Sequence, residues 1–272
     1  MRPILVFLAA AVVLAGQDPR ELILRSAAFE ARDLELIRNY TFLRHEEKRS
    51  LNSSGQAAKT EQRTVEVLML YGRPYERLVA EDGRALPPDK ERKEQQKLDK
   101  EMQRRGGESQ EKREKRAAGD KKELEEARQF RLEVADAFNF TLLGEEVIDG
   151  HKAWMIQAEP KHGFRPRSKD GKILPKVRGK LWVSQQDYRW VRLEAEVIDT
   201  FSLGFGMLRL NPGTNLQFEA RKINGELWMP HHAYVRGNGR LALLKKLNLE
   251  MEARWDNYRK FQTESRIVSS SE

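Results

Sequence analysis

The chain has 272 residues, of which 34% are charged and 39% hydrophobic, with a formal net charge of +8 and no cysteine. The missing cysteine excludes disulfides, thiolate metal ligands, a cysteine nucleophile and the lipidated cysteine of a bacterial lipoprotein. The basic excess attracts phosphates without regard to sequence. An exported chain, as the first residues suggest, meets anionic lipid head groups or acidic proteins rather than nucleic acid.

Arg2 gives a positive start, Ile4 to Ala15 are apolar, and Val13-Leu14-Ala15 has the small-residue spacing of a signal-peptidase site. Polar Gln17-Asp18 ends the run short of the roughly 20 residues a membrane span needs. Residues 1–16 are therefore expected to be a signal peptide and 17–272 one domain, soluble in the periplasm or secreted. Sequons at Asn39, Asn52 and Asn139 would matter only in a eukaryotic source.

From Pro19 to about Asn39, Leu22, Ile23, Ala27, Leu34 and Ile37 recur at helical steps, with Asp18 as cap and Pro19 at the first position. Tyr40-Thr41-Phe42-Leu43 reads as a first strand running into a charged, turn-prone stretch, "RHEEKRSLNSSGQAAKTEQ". The period then becomes two: "TVEVLMLYG" puts Val65, Val67, Met69 and Tyr71 on one face. "YERLVAEDGRAL" follows as a strand ending at Asp82-Gly83.

Pro87-Pro88 closes this β segment, and from Asp89 to about Arg128 charges of both signs interleave with few apolar residues. The insertion at about 87–130 reads as a solvated helical hairpin or a disordered segment, broken at Gly106-Gly107. An arm that binds an envelope protein is the other reading.

After Phe138 the β pattern resumes in three hairpins, turning at Asp149-Gly150, near Asp187-Tyr188 and at Asn224-Gly225, and a last strand has Leu247, Leu249, Met251, Ala253 and Trp255 inward. The expected fold is α+β, mainly antiparallel β: an unclosed, curved half-barrel with an N-terminal amphipathic helix and the charged helical insertion. Between two of these strands lies "TFSLGFGMLRL", which reads either as an apolar flap over a cavity or as core. On the first reading Phe201, Leu203, Phe205 and Met207 line the ligand.

Five tryptophans fall in expected strands. They fill a β core or line the cavity, Trp182 and Trp228 being the candidates for the lining. The basic loop "KHGFRPRSKDGKILPKVRGK" is either a solvated loop or a head-group site at the cavity mouth, with Arg165, Arg167, Lys176 and Arg178 as contacts. There is no G-x-S-x-G, H-E-x-x-H, Walker loop or dinucleotide fingerprint. His231 and His232, as neighbours on a strand, point to opposite faces and cannot share a metal. No catalytic residue, metal or cofactor is expected.

The leader, the helix before the first strand, the paired strands of "TVEVLMLYGRPYERLVAEDG" and the strand-turn-strand "GKLWVSQQDYRWVRLEAEV" resemble the periplasmic lipoprotein carriers LolA and LolB and their relatives, including the RseB sensor domain. The resemblance covers about 18–85 and 130–262; the charged insertion has no counterpart in the simple carriers, and no ligand residue is carried over. It implies an unclosed barrel whose concave face, lidded by helices, holds acyl chains. The expected function is an exported, non-enzymatic binding or carrier protein for a lipid or acylated, lipoprotein-like ligand, with peripheral membrane contact. The alternative is an envelope sensor or interaction module that keeps the fold without a ligand.

Overall fold

The structure, a computed structural model, describes residues 17–26, 36–203, 208–241 and 245–261. Its strands are β1 Tyr40–Leu51, β2 Ala57–Leu70, β3 Arg73–Glu81, β4 Arg84–Ala85, β5 Phe138–Ile148, β6 His151–Pro160, β7 Val177–Ser184, β8 Trp190–Val197, β9 Phe201–Leu203, β10 Leu208–Leu210, β11 Asn215–Ile223, β12 Leu227–Leu241 and β13 Lys245–Lys260. The helices are α1 Pro19–Ser26, α2 Pro88–Gly106 and α3 Gln110–Ala137, with a 3-10 turn at Asp170–Lys176.

One antiparallel sheet runs in the order β4-β3-β2-β1-β13-β12-β11-β8-β7-β6-β5. Its two ends do not meet, so the architecture is the open half-barrel read from the alternation. The pairing of β1 with β13 joins the first strand to the last. β10 pairs with β12 beyond the end of β11, and β9 pairs with β10.

Turn chemistry sets most of the hairpins. Asp149-Gly150, a two-residue loop, and Asn224-Gly225, which opens a three-residue loop, both carry positive φ at two successive positions, the geometry of a type I′ turn. Tyr188 also has positive φ in the β7–β8 turn. Tyr71, expected at the end of a strand, instead sits in the β2–β3 turn with φ 51°, followed by Gly72 at φ 76°.

A second departure concerns "RHEEKRSL". These residues were expected to leave the first strand for a loop, yet β1 continues through them to Leu51. Ion pairs across the strands replace apolar packing: Arg63 reaches Glu46, Arg49 reaches Glu250 at 3.2 Å, and Arg44 takes Glu76 at 2.7 Å. The turn shrinks to Asn52–Gln56, where the Asn52 side chain accepts from the Ser54 and Gln56 amides at 3.0 and 2.9 Å.

Asp18 caps α1, accepting from the Arg20 amide at 2.9 Å; the later part of the expected helix, 27–35, lies outside the described residues. The charged segment is a helical hairpin broken at Gly107. It extends past the expected boundary near 130, because Val134, Ala135 and Ala137 at the end of α3 are buried with Leu22 and Ile23 of α1 over Ile156, Leu181 and Val183. Helix α2 instead docks at the β2–β3 hairpin, where Arg105 donates to the carbonyls of Leu70, Arg73 and Pro74 at 3.0, 3.0 and 3.3 Å.

Candidate functional site on the inner face of the sheet

Residues directly opposite one another on paired strands share a face, so the register traces rows across the whole sheet. One row runs Leu142–Ile156–Leu181–Leu193–Phe218–Ala233–Ala253–Glu46–Arg63–Glu81. Its neighbour runs Phe140–Ala158–Gly179–Ala195–Leu216–Val235–Met251–Lys48–Glu61. Because Ile156 and Leu181 pack with α1 and α3, this is the inner face.

Along it the chemistry changes once. From β5 to β13 both rows are apolar, and at β1 they become charged. Helices α1 and α3 pack over the β5–β8 part. Further along, Leu216, Phe218, Ala233, Val235, Ala253 and Trp255 are only half-buried, and Met251 is 48% exposed. A groove of about 740 Å³ straddles the boundary, with Ala233, Val235, Met251 and Ala253 on one side and Glu46, Lys48, Glu61 and Arg63 on the other. The groove is amphipathic, apolar on one side and charged on the other.

The outer face differs throughout. A row there runs Met155–Trp182–Arg192–Glu219–His232–Arg254–His45. Arg192 takes Glu146 at 2.8 Å and Glu219 at 3.0 Å, and His232 meets Glu252 at 2.9 Å. Among the described residues no cluster of His, Asp or Glu could hold a metal.

The structure scatters the site residues expected from sequence. Trp182 projects outward: its indole donates to Glu146 at 2.6 Å and Arg192 lies 5.4 Å over its ring. Trp228 joins the same small outer cluster with Ile148, Ala153 and Val191, donating to Asp187 at 2.9 Å. Trp154 and Trp190 are the tryptophans beneath α1, Trp190 donating to Ser26 at 2.6 Å.

Phe201 is buried at the start of β9, and Leu203 pairs with Leu208 across the β9–β10 hairpin; Phe205 and Met207 lie outside the described residues. The segment read either as a flap or as core thus forms strand at both of its ends. The chain after it passes close over β12: a Cβ on Gly237 would meet the Thr214 side chain at 2.3 Å.

Three of the four expected head-group cations have partners of their own. Arg167 binds Asp136 at 2.6 Å, Lys176 donates to the Thr200 carbonyl at 2.6 Å, and Arg178 takes Glu196 at 2.9 Å. Hydrogen bonds from Arg20 and then Arg167, with the charges of both, hold the Asp136 carboxyl below its ordinary range against the opposing effect of burial. Arg165 is exposed and makes no ion pair among the described residues. Sequence reading missed the charged half of the groove, Glu46, Lys48, Glu61 and Arg63, because it took these residues for a loop and its continuation. It did place Met251 and Ala253 inward.

No family model and no curated protein matches the chain. Solved structures of similar fold include a putative outer membrane lipoprotein-sorting protein domain from Vibrio parahaemolyticus, at 12% identity over 85% of this chain and 93% of that one, TM-score 0.33. A LolA superfamily protein from Nitrosomonas europaea matches at 9% identity over 91% and 95%, TM-score 0.29. The Pseudomonas aeruginosa MucA/MucB complex matches at 10% identity over 89% and 99%, TM-score 0.23. No helix among the described residues is long and apolar enough to cross a membrane.

Proposed function

We propose that the protein is an exported, non-enzymatic binding or carrier protein for a lipid or acylated, lipoprotein-like ligand, with the acyl chain along the inner rows and the polar end over β1 and β2. The observation that supports this reading is the single change from apolar to charged along both inner rows, at the groove lined by Ala233, Val235, Met251 and Ala253. Each methylene withdrawn from water contributes about 0.8 kcal/mol, so about ten would match the roughly 8 kcal/mol of a micromolar complex before ordering costs. Phe201, Leu203, Phe205, Met207 and Arg165 are further candidate contacts for such a ligand. Native mass spectrometry of protein purified from its own envelope tests the reading. Co-purified acyl ligand, or uptake of a fluorescent fatty acid by stripped protein, is the expected result; protein that is always empty and takes up no probe refutes it.

A second reading, an envelope sensor or interaction module, is favoured by the α2–α3 hairpin, whose charged surface exceeds what packing needs. Replacing residues 89–128 by a short linker separates the two. A carrier retains acyl-probe uptake, whereas an interaction module loses its captured partner.

A further inference from the structure

A second cavity lies away from the inner groove, where the β2–β3 hairpin tip meets α3. It measures about 360 Å³ and is lined by Arg38, Tyr71, Arg73, Arg113, Arg116 and Lys121, together with Ala117, Asp120 and Leu124. The α3 members, 113, 116, 117, 120, 121 and 124, recur at three- and four-residue steps and so form one stripe of the helix. The positive φ of Tyr71 and Gly72 turns the hairpin so that Tyr71 and Arg73 stand against this stripe.

Five cations and one carboxylate line the cleft, and two of the five cations are paired. Asp120 binds Arg73 at 3.2 Å, and Arg116 is taken by Glu108. Arg113 donates only to the Glu108 carbonyl, at 3.0 Å, and Arg38, Arg113 and Lys121 are exposed and make no ion pair among the described residues. Holding like charges together in one cleft costs free energy unless an anion joins them, and guanidinium forks match phosphoryl oxygens bidentately. Tyr71 adds an apolar component: its hydroxyl end lies against Gly106, while the residue stays 58% exposed, and Met102 nearby on α2 is 43% exposed. An exposed aromatic ring beside arginines suits the head-group level of a bilayer, where the ring partitions and the cations meet phosphate.

We propose that this cleft is a docking site for the phosphoryl head groups of an anionic membrane surface, separate from the inner groove. It brings the hairpin tip and the α2–α3 junction onto the bilayer. The site stands whether or not the groove carries an acyl ligand.

Flotation of the full chain with phosphatidylglycerol-containing vesicles and with pure phosphatidylcholine vesicles tests it. Wild type should bind the former and not the latter, with binding weakened by salt. The triple variant Arg38→Gln, Arg113→Gln, Lys121→Gln should bind about a hundredfold more weakly, while a charge-matched variant of exposed α2 and α3 residues, Lys93→Gln, Lys100→Gln, Lys115→Gln, should bind like wild type. Equal loss in both variants would reduce the effect to net charge and overturn the proposal. So would an absence of vesicle binding, saturation by inorganic phosphate without vesicle binding, or tighter binding of polyglutamate than of vesicles. Should the triple variant fail to fold, Lys121→Gln and Tyr71→Ser singly provide the same comparison, each expected to weaken vesicle binding.

Discussion

Glu133 is 3% exposed, and its side chain accepts from the Arg167 amide at 2.5 Å, the Ser168 amide at 3.2 Å and the Ser168 hydroxyl at 2.5 Å. It ties the basic loop to α3. Glu133→Ala would orphan three donors, at about 1–3 kcal/mol for each that remains dry, so chemical denaturation should report a loss of at least about 2 kcal/mol. Asp187 provides the pH counterpart. Burial pushes its carboxyl up, but hydrogen bonds, those of Lys222 and Trp228 among them, and the Lys222 charge outweigh burial and leave it below the ordinary value. A carboxyl depressed on folding contributes stability that is complete above its unfolded value of about 3.9 and disappears as pH falls through the folded one. The stability gap between wild type and Asp187→Asn, measured by urea unfolding, should therefore be constant near neutrality and narrow below about pH 4. A gap that stays constant into acid would show that the carboxylate charge contributes nothing there.

At the scale of elements, Arg105 fastens α2 to the sheet through carbonyls at both ends of the β2–β3 turn. Glu101 holds the guanidinium in place, and hydrogen bonds from Arg104 and Arg105 lower its carboxyl to about 2. Removing the clamp with Arg105→Ala should weaken local docking by about 2 kcal/mol. Hydrogen exchange should then speed up in α2 while the β6–β8 amides keep their protection. Hairpins were legible in the sequence where turn residues required positive φ, as at Asp149-Gly150 and Asn224-Gly225. The β1–β2 hairpin was not, because a strand polar on both faces has no alternation to read, and ion pairs such as Arg63 with Glu46 link the strands instead. The face of Val191 was hidden for another reason. The register slips between Trp182 and Val183 on β7 and leaves Val191 bulged on β8, so Val191 joins Trp182 in the outer cluster instead of alternating onto the inner face with Leu193.

For the whole molecule, the antiparallel order and the open ends followed from the succession of strands, while the β1–β13 pairing, between residues about two hundred positions apart, left no local mark. That pairing creates the candidate site: it sets the apolar rows of β12 and β13 beside the charged ones of β1 and β2. The central claim, that the inner face between β11 and β1 holds the acyl part of a ligand, is tested most directly by titrating a fluorescent fatty acid into wild type, Ala253→Arg and Val147→Arg. Ala253 lies on the groove floor, and Val147 is 63% exposed on the edge strand β5. Ala253→Arg should cut affinity at least about tenfold, from the loss of buried apolar area, with its melting temperature close to wild type, and Val147→Arg should bind normally. Unchanged affinity in folded Ala253→Arg would contradict the account.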